Sequence, residues 1–116
     1  MRPVRPQTVN RTAQFDRWLT ALADDQARRA IVRRLVRIEA GLFGDAKSVG
    51  GGVSEIRIDV GPGYRVYYHR QGLTTTLVIG GGDKSTQAVD IAEAQRIVAE
   101  LQAQEKVRKK VPKKRK

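Results

Sequence analysis

Ser54-Glu55-Ile56-Arg57-Ile58, the turn Gly61-Pro62-Gly63, and Tyr64-Arg65-Val66-Tyr67-Tyr68 decide how this chain folds. Apolar and polar side chains alternate on both sides of the turn, the pattern of two paired strands. Neighbouring residues of a strand point to opposite faces. Ser54, Ile56, Ile58 and Val60 therefore share one face, and Glu55, Arg57 and Asp59 the other. On the second strand Tyr64, Val66 and Tyr68 share a face, while Arg65, Tyr67 and His69 line its opposite. With the apolar faces packed on a core, the sheet is expected to present Arg57, Arg65, Tyr67 and His69 to solvent. Guanidinium groups beside aromatic and imidazole rings suit phosphate gripping and base stacking.

Upstream of this pair the period changes. Phe15, Trp18, Leu19 and Leu22 follow i, i+3, i+4, i+7 spacing, one apolar stripe of a helix that Asn10 or Thr12 can cap. Asp24-Asp25 breaks the stripe and offers the next cap. A second helix is expected to run to Glu39 or Ala40, with Ile31, Leu35, Ile38 and Leu42 inward and Gly41 ending it. Its outer face carries Arg28, Arg29, Arg33, Arg34 and Arg37, read as an RNA-facing stripe or a solvated helix face. Residues 3–9 hold two prolines and fit only an edge strand. Asp45 to Val49 leads into Gly50-Gly51-Gly52, read as a mobile or tightly turned loop.

Downstream, Gln71-Gly72 signals a turn, and the threonine- and valine-rich run from Leu73 to Ile79 reads as a third strand. A last helix is expected to begin between Thr86 and Asp90, with Ile91, Ala94, Val98 and Leu101 on one side. The expected fold is α+β: an N-terminal helical hairpin packed on a small antiparallel sheet, followed by a C-terminal helix.

The chain has 116 residues, enough for one domain. It contains no cysteine and one histidine, which excludes a thiolate nucleophile, a disulfide, and cysteine or multi-histidine metal sites. No cofactor or metal is expected. No apolar run has the length of a membrane span or signal peptide, so the expectation is a soluble cytoplasmic protein without a membrane partner.

The net charge is +11, and it is unevenly placed. Residues 105–116 carry eight basic side chains against one glutamate, contributing +7; residues 1–104 contribute +4. We read 1–104 as the folded domain and 105–116 as a basic, disordered tail. A polyanionic partner is expected.

The polar sheet face is suited to a phosphodiester. Metal-free RNA cleavage needs a base near the 2′-hydroxyl, cations around phosphorus and an acid for the leaving 5′-oxygen. Arg57 and Arg65 would supply charge, and Lys84 would protonate the leaving oxygen or add charge. Glu55 and His69 are candidate bases. Lys47, Tyr67 and His69 are candidate RNA contacts, Tyr67 by stacking. A competing reading pairs Arg65 with Glu55 or Asp59 across the hairpin. Gly80-Gly81-Gly82-Asp83-Lys84-Ser85 lacks the spacing of a phosphate loop.

Taken in order, Phe15-x-x-Trp18-Leu19-x-x-Leu22, Gly44-Asp45-x-Lys47, Ser54-Glu55-x-Arg57, Gly61-Pro62-Gly63-Tyr64-Arg65-Val66-Tyr67 and Gly81-Gly82-Asp83-Lys84-Ser85-x-Gln87-x-x-Asp90-Ile91 resemble the RelE/ParE superfamily of toxins from type II toxin–antitoxin systems. The resemblance is closest to the addiction-module killer proteins, which are similar to HigB. It implies a compact fold like that of microbial ribonucleases and neutralisation by a cognate antitoxin. For many members it also implies cleavage of messenger RNA on the ribosome, and it allows operator DNA as a partner of the toxin–antitoxin complex. Arg65 matches the family's phosphate-binding arginine, and Arg57 a basic position on the preceding strand. Lys84 falls where HigB-like members carry lysines. Glu55 stands where RelE has a lysine, and no tyrosine follows Tyr68. Those departures leave the proton-transfer groups open. They also keep a ParE-like inhibitor of DNA gyrase as the alternative to a ribosome-dependent mRNA endoribonuclease. A third reading is a nucleic-acid-binding module acting through its basic tail.

Overall fold

A computed structural model of the chain describes residues 5–110. The order of elements is β1 (Thr8–Arg11), α1 (Ala13–Ala21), α2 (Asp25–Glu39), β2 (Ala46–Gly50), β3 (Val53–Ile58), β4 (Tyr64–Arg70), β5 (Thr75–Asp83) and α3 (Gln87–Lys110). A short 3-10 turn, Lys84–Thr86, joins β5 to α3.

The five strands form one sheet in the order β1-β5-β4-β3-β2. β2, β3, β4 and β5 are antiparallel neighbours, whereas β1 lies parallel to β5, Thr8 opposite Thr75 and Arg11 opposite Val78. The sheet is therefore mixed, and it has one strand more, β2, than the edge strand and three antiparallel strands expected from sequence.

The expectation of an N-terminal helical hairpin on a small antiparallel sheet is corrected here. Among the described residues the first element is a strand, and β1 takes an edge of the sheet beside β5. The helices that follow dock on the sheet: α1 against β5, and α2 against β1 and β3. The cause is β1 itself. Its parallel pairing fixes where α1 starts: Thr12 donates its backbone N–H to Val78 O at 3.0 Å. The same threonine caps α1 by accepting from the Phe15 amide at 3.0 Å. Asp24 caps α2 in the same way through the Ala27 amide.

The edge strand expected over residues 3–9 instead occupies Thr8–Arg11; Pro3 and Val4 lie outside the described residues. The segment read as leading into a loop, Ala46–Gly50, is strand β2, with Lys47 opposite Glu55 and Ser48 opposite Ser54. Gly50, Gly51 and Gly52 have φ of +92°, +64° and +78°, so three successive left-handed positions make a tight β2–β3 turn rather than a mobile loop.

Each face of the sheet carries a core. On one face Phe15, Leu19, Ile31, Leu35 and Ile38 of α1 and α2 pack on Ile56, Ile58, Val66, Tyr68 and Val78. On the other, Ala94 and Val98 of α3 close over Val53, Tyr67 and Ile79. Each fully buried aliphatic side chain contributes about 1.5–3 kcal/mol by leaving water. Leu42, expected inward, is exposed. α3 runs past the expected 104/105 boundary to Lys110, and residues 102–108 of it are exposed. The rest of the expected tail, residues 111–116, lies outside the described residues. Among the described residues no helix is long and apolar enough to cross a membrane.

Candidate functional site

Strand parity placed Glu55, Arg57, Arg65 and Tyr67 on one face; the ladder adds Lys47 of β2 and sets the five in two rows. Lys47 faces Glu55, which faces Tyr67. One step along, Arg57 faces Arg65, which faces Gly82 of β5. Directly opposed residues of an antiparallel pair carry their Cβ atoms about 4.5–5.5 Å apart. Arg57 and Arg65 are thus side-by-side neighbours.

This face is the one covered by α3, so the expectation that Arg57, Arg65, Tyr67 and His69 all face solvent fails for two of them. Tyr67 is 0% exposed and belongs to the core under α3. Arg65 is 7% exposed. Arg57 is exposed and His69 half-buried. Tyr67 is consequently no stacking platform for a base.

Beneath α3 the polar groups form a compact cluster. Glu55, its side chain fully buried, lies with Oε2 3.8 Å from Arg65 Nε. Gln87, in the first turn of α3, donates its amide to Glu55 Oε2 at 2.6 Å. The Tyr67 hydroxyl donates more weakly to the same oxygen at 3.4 Å. Glu55 Oε1 and Arg65 Nε have no hydrogen-bond partner among the described residues. Burial pushes the Tyr67 phenol well above its ordinary range, and the nearby Glu55 and Asp90 carboxylates push it further. The pairing of Arg65 with Glu55 considered from sequence is therefore present.

Lys84 is exposed and begins the 3-10 turn at the end of β5. A Cβ placed on Gly63 would lie 3.5 Å from Lys84 Cδ, so the lysine stem lies over the start of β4, two residues from Arg65. Asp83 accepts from the Ser85 hydroxyl and amide at 2.6 and 2.8 Å, which lowers its carboxyl below the usual range. These bonds fix the turn that carries Lys84. Arg57, Arg65 and Lys84 thus share one end of the β3-β4-β5 sheet, with exposed Lys47 one row further along.

His69 does not join them. It lies four positions beyond Arg65 on β4, about 13 Å along the strand. Its Nδ1 is 2.6 Å from Gly52 O at the β2–β3 turn, the geometry of a ring N–H donated to that carbonyl. Glu55, the other candidate base, is closed off by Gln87 and α3.

Gln87 and Asp90 were not singled out as site residues from sequence. The available signal was their position in the first turn of the last helix, directly after the turn bearing Lys84. Gly82 records how closely that turn approaches, since a Cβ there would lie 1.9 Å from Asp90 Oδ2. Of the arginines on α2, Arg34 donates to the carbonyls of Arg57, Phe43 and Asp45 and so anchors the helix to β3 and the loop before β2. Arg28 pairs with Asp25. Among the described residues no group of three or more histidine, aspartate or glutamate side chains is placed to hold a metal ion.

No protein-family model matches the chain. An uncharacterized protein of Haemophilus influenzae is 44% identical to it over 93 residues, a match that covers 80% of this chain and 94% of the relative. The matched length takes in most of both proteins, and the chain belongs to the family of that Haemophilus protein.

Proposed function

We propose that this protein is the toxin of a type II toxin–antitoxin system, of the RelE/ParE superfamily and its HigB-like addiction-module killer subgroup. In this reading it acts in the cytoplasm as a metal-independent, ribosome-dependent mRNA endoribonuclease, and its partners are a cognate antitoxin, the ribosome with its mRNA, and operator DNA when complexed. The observation that carries the reading is the opposition of Arg57 and Arg65 across β3 and β4, with Lys84 at the end of the adjoining strand. Three cations at one end of a sheet suit a single phosphodiester.

The roles follow from exposure. Arg57 and Lys84 are open to solvent and would meet the phosphate directly. Arg65 is buried beside Glu55, so burial restricts its guanidinium before substrate arrives. A preorganised charge of this kind needs no reorganisation as charge builds at phosphorus. The 2′-oxygen attacks phosphorus, the bond to the 5′-oxygen breaks, and Lys84 gives that oxygen a proton, leaving a 2′,3′-cyclic phosphate. The chain offers charge rather than a base here, because Glu55 is buried and held by Gln87 and His69 lies about 13 Å along β4 from Arg65. Deprotonation of the 2′-hydroxyl then falls to groups around the ribosome-bound RNA, in keeping with ribosome dependence.

The lack of an accessible candidate base beside the three cations, with Glu55 buried and His69 four positions along β4, also favours a second reading, a ParE-like toxin that binds and inhibits DNA gyrase without cutting RNA. Mapping of mRNA 5′ ends after induction separates the two. New cuts at codon boundaries, absent with Arg57→Ala, are the expected result. A DNA-damage response without new ends would replace the nuclease with the gyrase inhibitor.

A further inference from the structure

The exposed face of α2 is not uniformly polar. Arg29, Arg33 and Arg37 follow one another at i, i+4, and Val32 and Val36 form a second row beside them at the same spacing. Val32 is 38% exposed and Val36 56%. Val32 also lines a groove of about 440 Å³ between α1 and α2, with Leu19 and Thr20 from α1 and Arg28, Arg29 and Arg33 from α2. Leu19 is almost fully buried and forms the floor. Arg28 is occupied by Asp25 and the Leu22 carbonyl. Arg29 and Arg33 make no ion pair or side-chain hydrogen bond among the described residues.

A solvated helix face gains nothing from this pattern. Valine is a poorer helix former than alanine, lysine or glutamate, and two of them on an exposed face sacrifice helix propensity without burial. A surface for nucleic acid alone would use the arginines and press the valines against a charged backbone. An apolar strip beside free cations matches a ligand with the same two rows in complementary form. From Arg29 to Arg37 the helix rises about 12 Å, or two to three turns, enough for a short helix to lie alongside.

We propose that the α1–α2 groove is a docking site for an amphipathic acidic helix of a partner protein. Its apolar row would seat on Leu19, Val32 and Val36, and its carboxylates would meet Arg29 and Arg33. This inference is independent of whether the chain cuts RNA.

The chain has no cysteine, so a fluorophore on Thr20→Cys reports the lip of this groove alone. The labelled full-length protein is titrated with a synthetic peptide of about five helical turns, leucines on one face and glutamates flanking them. A second peptide has the same composition with the leucines scattered around the helix, and a single-stranded RNA oligonucleotide is the third ligand. The expected result is at least tenfold tighter binding of the first peptide than the second. Val32→Asp with Val36→Asp should weaken that binding tenfold or more, as should Arg29→Glu with Arg33→Glu. Val32→Ser with Val36→Ser replaces the aspartate pair if the latter fails to give the wild-type circular dichroism spectrum. Equal binding of the two peptides, or binding indifferent to the valine changes, would overturn the proposal. So would RNA that displaces the first peptide and binds the valine variants as well as wild type.

Discussion

Gln87 donates its side-chain amide to Glu55 Oε2 at 2.6 Å, and this bond ties the first turn of α3 to the middle of β3. It is the shortest contact to a carboxylate whose other oxygen has no partner among the described residues. Removing a partner from a buried acceptor costs about 1–3 kcal/mol. Gln87→Ala is expected to lower stability in urea unfolding by that amount.

Removing the carboxylate should be worse. Glu55→Ala leaves Arg65 buried without its counter-charge, a loss of about 3–5 kcal/mol. Adding Arg65→Met should recover much of it, because the stranded charge is then gone. A double-mutant cycle in urea measures the coupling, and simple additivity of the two losses would show that the pair does not interact.

Alkaline pH should weaken the fold through Tyr67. Its phenol titrates higher in the folded chain than when unfolded, so its contribution is complete below the unfolded pKa of about 10. Above that pH the unfolded state gives up its proton first, and stability falls as pH rises. Tyr68 is raised too, chiefly by burial, and adds to the same trend. Tyr67→Phe should make the fall shallower while costing little at neutral pH, because the hydroxyl bond it removes is 3.4 Å long. Denaturation midpoints between pH 8 and 11 provide the comparison.

On the proposed toxin reading, Arg57→Ala and Lys84→Ala should abolish or strongly reduce growth inhibition on induction while shifting stability by no more than about 0.5 kcal/mol, since both side chains are exposed. Arg65→Ala should lose both activity and stability. Full toxicity of Arg57→Ala at wild-type expression would remove the cationic site from the mechanism.

Gly81 and Gly82 should resist substitution for different reasons. A Cβ on Gly81 would lie 2.4 Å from the ring of Trp18, the sole tryptophan, so Gly81→Ala should change its emission. A Cβ on Gly82 would meet Asp90 and Thr86, forcing the start of α3 off the sheet. Overpacking of this kind costs about 1–3 kcal/mol, and thermal melting of each variant tests it.

Deleting residues 105–116 should leave thermal stability nearly unchanged. The α3 side chains buried in the sheet's second core, Ala94 and Val98, lie well before the deletion. The deletion removes +7 of charge, so binding to any nucleic acid should weaken and depend less steeply on salt. Complete loss of toxicity with an intact fold would favour the tail-driven reading.

The local elements were legible because their signals are local. Thr12 and Asp24 cap the helices where the apolar stripes begin, and the Ser54–Tyr68 hairpin follows its alternation. β2 was hidden because three consecutive glycines suggest looseness, when here they serve a reversal that left-handed φ requires. The pairing of β1 with β5 joins residues more than sixty positions apart, and no nearby pattern announces it. At the site, strand parity correctly put Arg57, Arg65 and Tyr67 on one face, but it could not say that α3 would cover that face. β5 held the clue: Val78 and Ile79 are both buried, in opposite cores, which only a sheet covered on both sides requires.

That long reach from β1 to β5 also governs timing. β1 can pair only once β5 is in place, so this contact carries the loop-closure cost of a long-range pairing. Until then the backbone of Thr75–Val78 offers an unguarded margin to any extended chain that passes. The β1 strand thus serves as a cover for the β5 margin as well as a ladder partner.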